Sequence, residues 1–218
     1  MRFKGMAALA AGLLWFGGAQ AATLEVEIND QRGHPVSDAV VTLLPASGVA
    51  VSPTPASATP RIIDQRRLVF LPYVEVFREG ERVVFRNSDD TRHHVYSFSA
   101  PKAFEIVVAP KTSSAPMALD KTGVIAVGCN IHDGMISYLY VTDAPRAART
   151  DASGRVSIGD LPAGQYEVRV WHPRLPPGRP DLRERATTIA EGETKTLAFP
   201  LTLRPDQRKQ FDREHTHY

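Results

Sequence analysis

The stretch Val124-Ile125-Ala126-Val127-Gly128-Cys129-Asn130-Ile131-His132-Asp133-Gly134-Met135-Ile136-Ser137-Tyr138-Leu139-Tyr140-Val141 lays out a strand, a short loop and a second strand. Both arms are rich in β-branched and aromatic residues, and Asn, Asp and Gly punctuate the middle, which is the composition of two extended segments joined by a turn. The loop runs C-x-x-H-x-x-M, placing a thiol, an imidazole and a thioether side by side, and Cys129 is the chain's single cysteine.

A loop this short cannot close a metal site alone, so a further ligand must arrive from a neighbouring strand end. Asn87-Ser88-Asp89-Asp90-Thr91-Arg92-His93-His94-Val95, following the apolar run Val83-Val84-Phe85, supplies a loop and two histidines. One thiolate, two imidazoles and a weak thioether are the ligand set of a blue-copper electron-transfer site. Neighbouring side chains of an extended segment point to opposite faces, so His93 and His94 do not both bind one ion. Zinc also takes His and Cys, but a Met in place of a second Cys or third His makes copper the better match. A buried inert thiol is the competing reading of a lone cysteine, and the His and Met at this spacing argue against it. His34 in a turn and His172 before Pro173 read as surface or internally satisfied residues, Asp133 as a turn cap, and His215 and His217 as parts of an exposed charged tail.

The N-terminus belongs to no domain. Arg2 and Lys4 precede the apolar segment Met6 to Phe16, and Ala19-Gln20-Ala21 has the small residues of a cleavage site, so residues 1–21 read as a secretory signal peptide. No later segment approaches the roughly 20 apolar residues of a membrane span. Of 26 basic residues the leader carries two, leaving 24 against 24 acidic ones. That balance offers no electrostatic case for nucleic acid. The expected product is exported to the periplasm and soluble.

Elsewhere short alternating runs are broken by Gly, Pro, Asp and Asn, with no helical period, so the chain reads as all-β. Leu24, Val26 and Ile28 alternate with polar partners, and Ala39 to Leu44 is a compact apolar run. Residues 45–60 are Pro-, Ala- and Ser-rich and read as a linker. Runs at Val74–Val76, Val83–Phe85, Phe104–Val108, Val124–Gly128 and Ile136–Val141 form a central group, and Ala144-Pro145 closes it. A third group holds Arg155–Ile158, Gln165–His172, Ala186–Ile189 and Thr194–Leu203, before the tail that begins at Arg204.

From about Phe70 to Val141 the chain resembles the cupredoxins, the plastocyanin and amicyanin family. The first-ligand pattern of that family is met by Phe70, Pro72, Gly80, Val83, Phe85, Asn87, Asp89, His93 and Val95, and the second by Gly123, Cys129, His132 and Met135. Arg92, His94 and Asn130-Ile131 depart from the residues common around those ligands. The resemblance implies a Greek-key sandwich holding one mononuclear copper ion. Cys129 would be the thiolate ligand, His93 and His132 the imidazoles and Met135 the long axial ligand, with His132 as the point where electrons leave. The segments 24–44 and 150–202 resemble, put end to end, a carboxypeptidase-regulatory-like domain, a small transthyretin-like β-sandwich. Together the chain resembles bacterial plastocyanin-like or methylamine-utilisation proteins.

The expected organisation is therefore a cupredoxin at 59–143 inserted into a discontinuous sandwich of 22–58 and 144–202, with a charged tail from 203 to 218. The insertion follows from an N-terminal segment of two strands, which buries too little to stand alone. The expected function is a periplasmic type 1 copper protein, a monomer that carries single electrons between redox partners such as a dehydrogenase or a cytochrome. It is not an enzyme, since a Met-completed site leaves no open position for catalysis. The alternatives are a copper storage or delivery protein, and an extracytoplasmic binding module with a structural metal.

Overall fold

The computed structural model describes residues 20–132, 134–176, 182–183, 186–206 and 208. Most of the expected leader, Asp133 and the tail histidines His215 and His217 lie outside the described residues. The strands are β1 (Ala22–Asp30), β2 (Val40–Pro45), β3 (Arg61–Arg66), β4 (Val69–Leu71), β5 (Val74–Arg78), β6 (Arg82–Asn87), β7 (His93–Ser99) and β8 (Lys102–Val108). They continue with β9 (Met117–Ala118), β10 (Gly123–Cys129), β11 (Ile136–Thr142), β12 (Arg146–Arg149), β13 (Arg155–Leu161) and β14 (Gly164–Trp171). The last are β15 (Leu182–Arg183), β16 (Thr187–Ile189) and β17 (Thr194–Leu201). The architecture is all-β, and no helix among the described residues is long and apolar enough to cross a membrane.

Two of the four sheets are built from the flanks. β1 runs antiparallel to β13 and parallel to β17, with Leu24 opposite Ile158 and Val26 opposite Val156. β2 lies between β12 and β14, with Val41 opposite Val170 and Leu43 opposite Val168. The period-2 alternation of β1 sends Leu24, Val26 and Ile28 inward, all fully buried, against Val41, Leu43, Tyr166 and Val168 of the facing sheet. Neither β1 nor β2 pairs with a strand between residues 61 and 142. A two-stranded unit is marginal in water, so the N-terminal segment gains its stability from strands more than a hundred residues away.

The other two sheets come from residues 61–142. One has the order β5-β11-β10-β7-β8 and the other β4-β3-β6-β9. Phe77, Phe85, Ile125, Val127 and Leu139 fill the space between them, and Cys129 and Met135 belong to the same buried cluster. Burying each such aliphatic or aromatic side chain contributes about 1.5–3 kcal/mol. The β3–β4 hairpin is absent from the sequence reading. Its two-residue loop is Arg67-Leu68, both at positive φ (54° and 58°). That is the backbone a primed hairpin turn requires, normally supplied by Asn-Gly or Asp-Gly.

The two sandwiches meet through Val40 and Trp171 on one side and Tyr73 and Val74 on the other, with Tyr138 and Tyr140 packed against them. The connection 46–60 carries no strand, in keeping with its linker composition. Thr54 N–H donates to the Pro145 carbonyl at 3.1 Å, and the Arg78 guanidinium donates to the Ala144 and Pro145 carbonyls, so the two crossings lie together. Among the described residues after β17, Leu203 is buried in the flanking core, and the Arg208 guanidinium lies 3.4 Å over the Tyr73 ring.

Candidate metal centre

Three strand ends converge where the central sandwich closes. β7 begins with His93, β10 ends with Cys129, and β11 follows directly on Met135. The Cys129 and Val95 backbones are paired, which brings the start of β7 beside the end of β10. Between Cys129 and Met135 the chain turns back through Gly134, at φ +81°, and the Met135 N–H donates to the His132 carbonyl at 3.4 Å. Glycine occupies that left-handed conformation without the strain a Cβ would add.

The alternation of β7 settles which histidine enters. His93 faces inward and is 0% exposed. His94 faces the other way, with its Nε2 2.7 Å from Glu105 on the neighbouring strand. The Cys129 Sγ lies 3.6 Å from His93 Nδ1 and 3.8 Å from His132 Nδ1. One ligand atom from each of the three residues lies within 4.8 Å of the others. The two imidazole rings have centroids 5.1 Å apart. Met135 is 3% exposed and Cys129 6%, both in one core cluster. His132 is partly exposed and Ile131 beside it is exposed, so of these side chains His132 is the one nearest solvent.

These distances fit a bound ion. A thiolate and an imidazole nitrogen held at roughly 2.3 and 2.0–2.1 Å from one metal stand about 3.6 Å apart in a tetrahedral site and about 3.8 Å in a trigonal one. The observed separations fall on those values. A buried pair held only by a thiol hydrogen bond would need one partner, whereas here two imidazoles address the same sulfur. The donor set of one soft sulfur and two nitrogens, with a thioether in the same cluster, suits copper.

The residue that holds the site in place is Asp89, which the sequence reading named only as part of a pattern. Its Oδ2 lies 2.9 Å from His93 Nε2. With Nε2–H donated to the carboxylate, His93 turns its Nδ1 lone pair toward Cys129, the tautomer a metal needs. The same carboxylate accepts the Arg67 and Leu68 amides at 2.5 and 3.1 Å. Burial alone would raise the Asp89 carboxyl, but those two amides and the His93 ring outweigh it and hold it below the usual carboxylate value. One side chain thus fixes a ligand ring and clamps the left-handed turn, whose two non-glycine residues cost about 1–2 kcal/mol each.

Asn87 does the same work for the loop backbone. Its Nδ2 donates to Thr91 and Val108 carbonyls at 2.8 and 3.0 Å, and its Oδ1 accepts the Asp89 N–H at 2.9 Å. Asn87 is 1% exposed, so the 87–93 loop is organised around a buried amide with both ends satisfied.

Among the described residues, His34 and His172 stay outside the site. His34 is exposed and lies 3.4 Å from Asp30. His172 is buried, and its Nδ1 accepts the Arg174 N–H at 3.1 Å. Burial, helped by the charges of Arg174 and Arg208, pushes its pKa down to about 4.

No family model matches the sequence, and no curated protein matches it. Among solved structures the chain is similar to amicyanin from Paracoccus versutus, at 17% identity over 46% of this chain and 98% of that one, with a TM-score of 0.36. It is similar to a purple cupredoxin from Nitrosopumilus maritimus, at 16% identity over 37% of this chain and 98% of that one, with a TM-score of 0.33. It is also similar to a Cu-containing nitrite reductase from Thermus scotoductus, at 21% identity over 44% of this chain, with a TM-score of 0.37. That alignment spans 25% of the reductase chain.

Proposed function

We propose that this chain is a periplasmic type 1 copper protein that carries single electrons between redox partners such as a dehydrogenase or a cytochrome. The observation that carries the reading is the convergence of one donor atom each from His93, Cys129 and His132 within 4.8 Å of one another at one end of a sandwich, with both Nδ1 atoms within 3.8 Å of the Cys129 Sγ. Cys129, His93 and His132 would hold one copper ion, with Met135 as the weak fourth donor. Bound there, copper supplies one-electron redox chemistry.

What the chain contributes is a rigid, mostly dry ligand cage. Cys129 and His93 are buried and Asp89 fixes the His93 ring, so the ligands are already in place before a change of oxidation state. The partly exposed His132, beside exposed Ile131, is the edge a partner would approach. Four protein donors leave no open coordination position, so we assign the chain no enzymatic activity. We take residues 59–143 as the copper unit, inserted into a scaffold sandwich of residues 22–58 and 144–202. Export by residues 1–21 would place it where such partners work.

The test is visible absorption of the copper-loaded protein through a redox titration. The expected outcome is intense thiolate-to-copper absorption that disappears on reduction, returns on oxidation, and is abolished by Cys129→Ser. Loss of the metal to a mild chelator at each reduction would assign the chain to copper delivery instead.

A further inference from the structure

Where the two sandwiches meet, on the outer face of β11, a cleft of about 300 Å³ opens. This is within the range of small-molecule sites. The central sandwich contributes Tyr73, Ile136 and Tyr138, and the flanking part contributes Pro173, Arg174, Arg204 and Pro205. Asp206 and Arg208 complete the lining, so three guanidinium groups meet one carboxylate. The surroundings are already ordered: Tyr138 packs edge-on against both Tyr73 (5.5 Å between centroids) and Trp171 (5.9 Å).

The cleft's own chemistry shows what it recognises. Asp206 is gripped by Arg208 at 3.0 Å (Nε to Oδ1) and 2.7 Å (Nη2 to Oδ2), the two-pronged geometry of a guanidinium on a carboxylate. Arg208 is thereby neutralised and stacked on Tyr73. Arg174 approaches Asp206 only to 4.0 Å and spends its Nε on the Arg204 carbonyl at 2.6 Å. Arg204 forms no ion pair among the described residues, and its guanidinium donates at 3.4 Å to the Pro173 carbonyl. Two cationic heads therefore remain over a surface of tyrosine, isoleucine and proline. Guanidinium groups bind carboxylates and phosphates, and aromatic and proline faces favour a flat apolar body.

We propose that this cleft binds a small aromatic monocarboxylate, its ring against Tyr138 and the two prolines and its carboxylate on Arg174 and Arg204. The site is separate from the ligand cluster, which lies on the inner face of the same sheet, and it does not depend on copper.

Titration calorimetry of the metal-free full chain with benzoate, acetate and inorganic phosphate tests it. Benzoate is expected to bind one per chain, at least tenfold tighter than acetate or phosphate. Arg174→Gln with Arg204→Gln should weaken benzoate at least tenfold, and Tyr138→Leu comparably. Arg204 is exposed, so Arg204→Gln alone, checked by an unchanged melting temperature, decides the matter if the double variant fails to fold. Absence of benzoate binding, phosphate binding as tight as benzoate, or undiminished affinity in Arg204→Gln would each overturn the proposal.

Discussion

The two sandwiches share an architecture but differ in one group of buried polar side chains. In the flanking sandwich Thr150, Tyr166 and His172 close on the main chain. Thr150 Oγ1 donates to the Val36 carbonyl at 2.8 Å and accepts the Ala39 N–H at 3.0 Å, and Tyr166 OH donates to the Pro162 carbonyl at 2.6 Å. His172 accepts a backbone N–H in the same way. In the central sandwich the buried His93 and Cys129 aim at each other, with His132 joining them, and Asp89 occupies the one His93 nitrogen that faces away. Polar groups satisfied locally stabilise a fold, whereas polar groups aimed at a shared point describe a place for something else.

The largest effect that would break this contrast is at Asp89. Asp89→Ala frees the His93 ring and leaves the Arg67 and Leu68 amides without their acceptor. Copper affinity should fall tenfold to a hundredfold, read by competition with a calibrated chelator. Adding Leu68→Gly relieves the turn and should recover part of the lost melting temperature while leaving copper affinity low. Recovery of both would show that Asp89 acts through the hairpin and not on the ring.

The second prediction concerns the flanking sandwich and pH. His172 titrates near 4 in the folded protein and near 6.5 unfolded, so the unfolded chain binds more protons between those values. Stability at neutral pH should therefore be lost progressively as pH falls from about 6.5 to about 4, by on the order of 2–3 kcal/mol. Denaturant unfolding at pH 7 and pH 4.5 measures it. His172→Gln should flatten that part of the profile, and an unchanged slope would show that other groups govern it.

The smallest effect is expected at Tyr166. Tyr166→Phe removes the bond to Pro162 and strands a carbonyl that water can reach in part, at a cost of about 1 kcal/mol. The copper spectrum should be unaltered, since Tyr166 belongs to the flanking core. A spectral change would mean the two sandwiches are coupled more tightly than their packing suggests.

Much of this protein was legible along the chain because its signals are local. The alternation of Leu24, Val26 and Ile28 determines a face regardless of what lies opposite. Period 2 likewise separates His93 from His94, and the spacing of Cys129, His132 and Met135 puts three donors on one loop. The β3–β4 hairpin was not legible, because Arg67-Leu68 lacks the glycine or asparagine that announces such a turn. Its conformation is held from outside by Asp89, more than twenty residues away. The contact of Arg208 with the Tyr73 ring was not legible for the same reason, since its partner lies more than a hundred residues away.

By itself, then, the sequence determined strands, loops and the identity of the donor atoms, since those follow from side-chain chemistry and short-range geometry. Only the tertiary structure decided that the sulfur and two imidazole nitrogens meet at metal-binding separations and that Asp89 holds one of the rings. It also decided that the N-terminal strands are completed by strands after residue 145, and that arginines and tyrosines from both sandwiches share a cleft. Those outcomes depend on contacts between segments far apart in the chain, and burial of apolar surface, which is non-directional, drives such segments together without any one local pattern naming the partner.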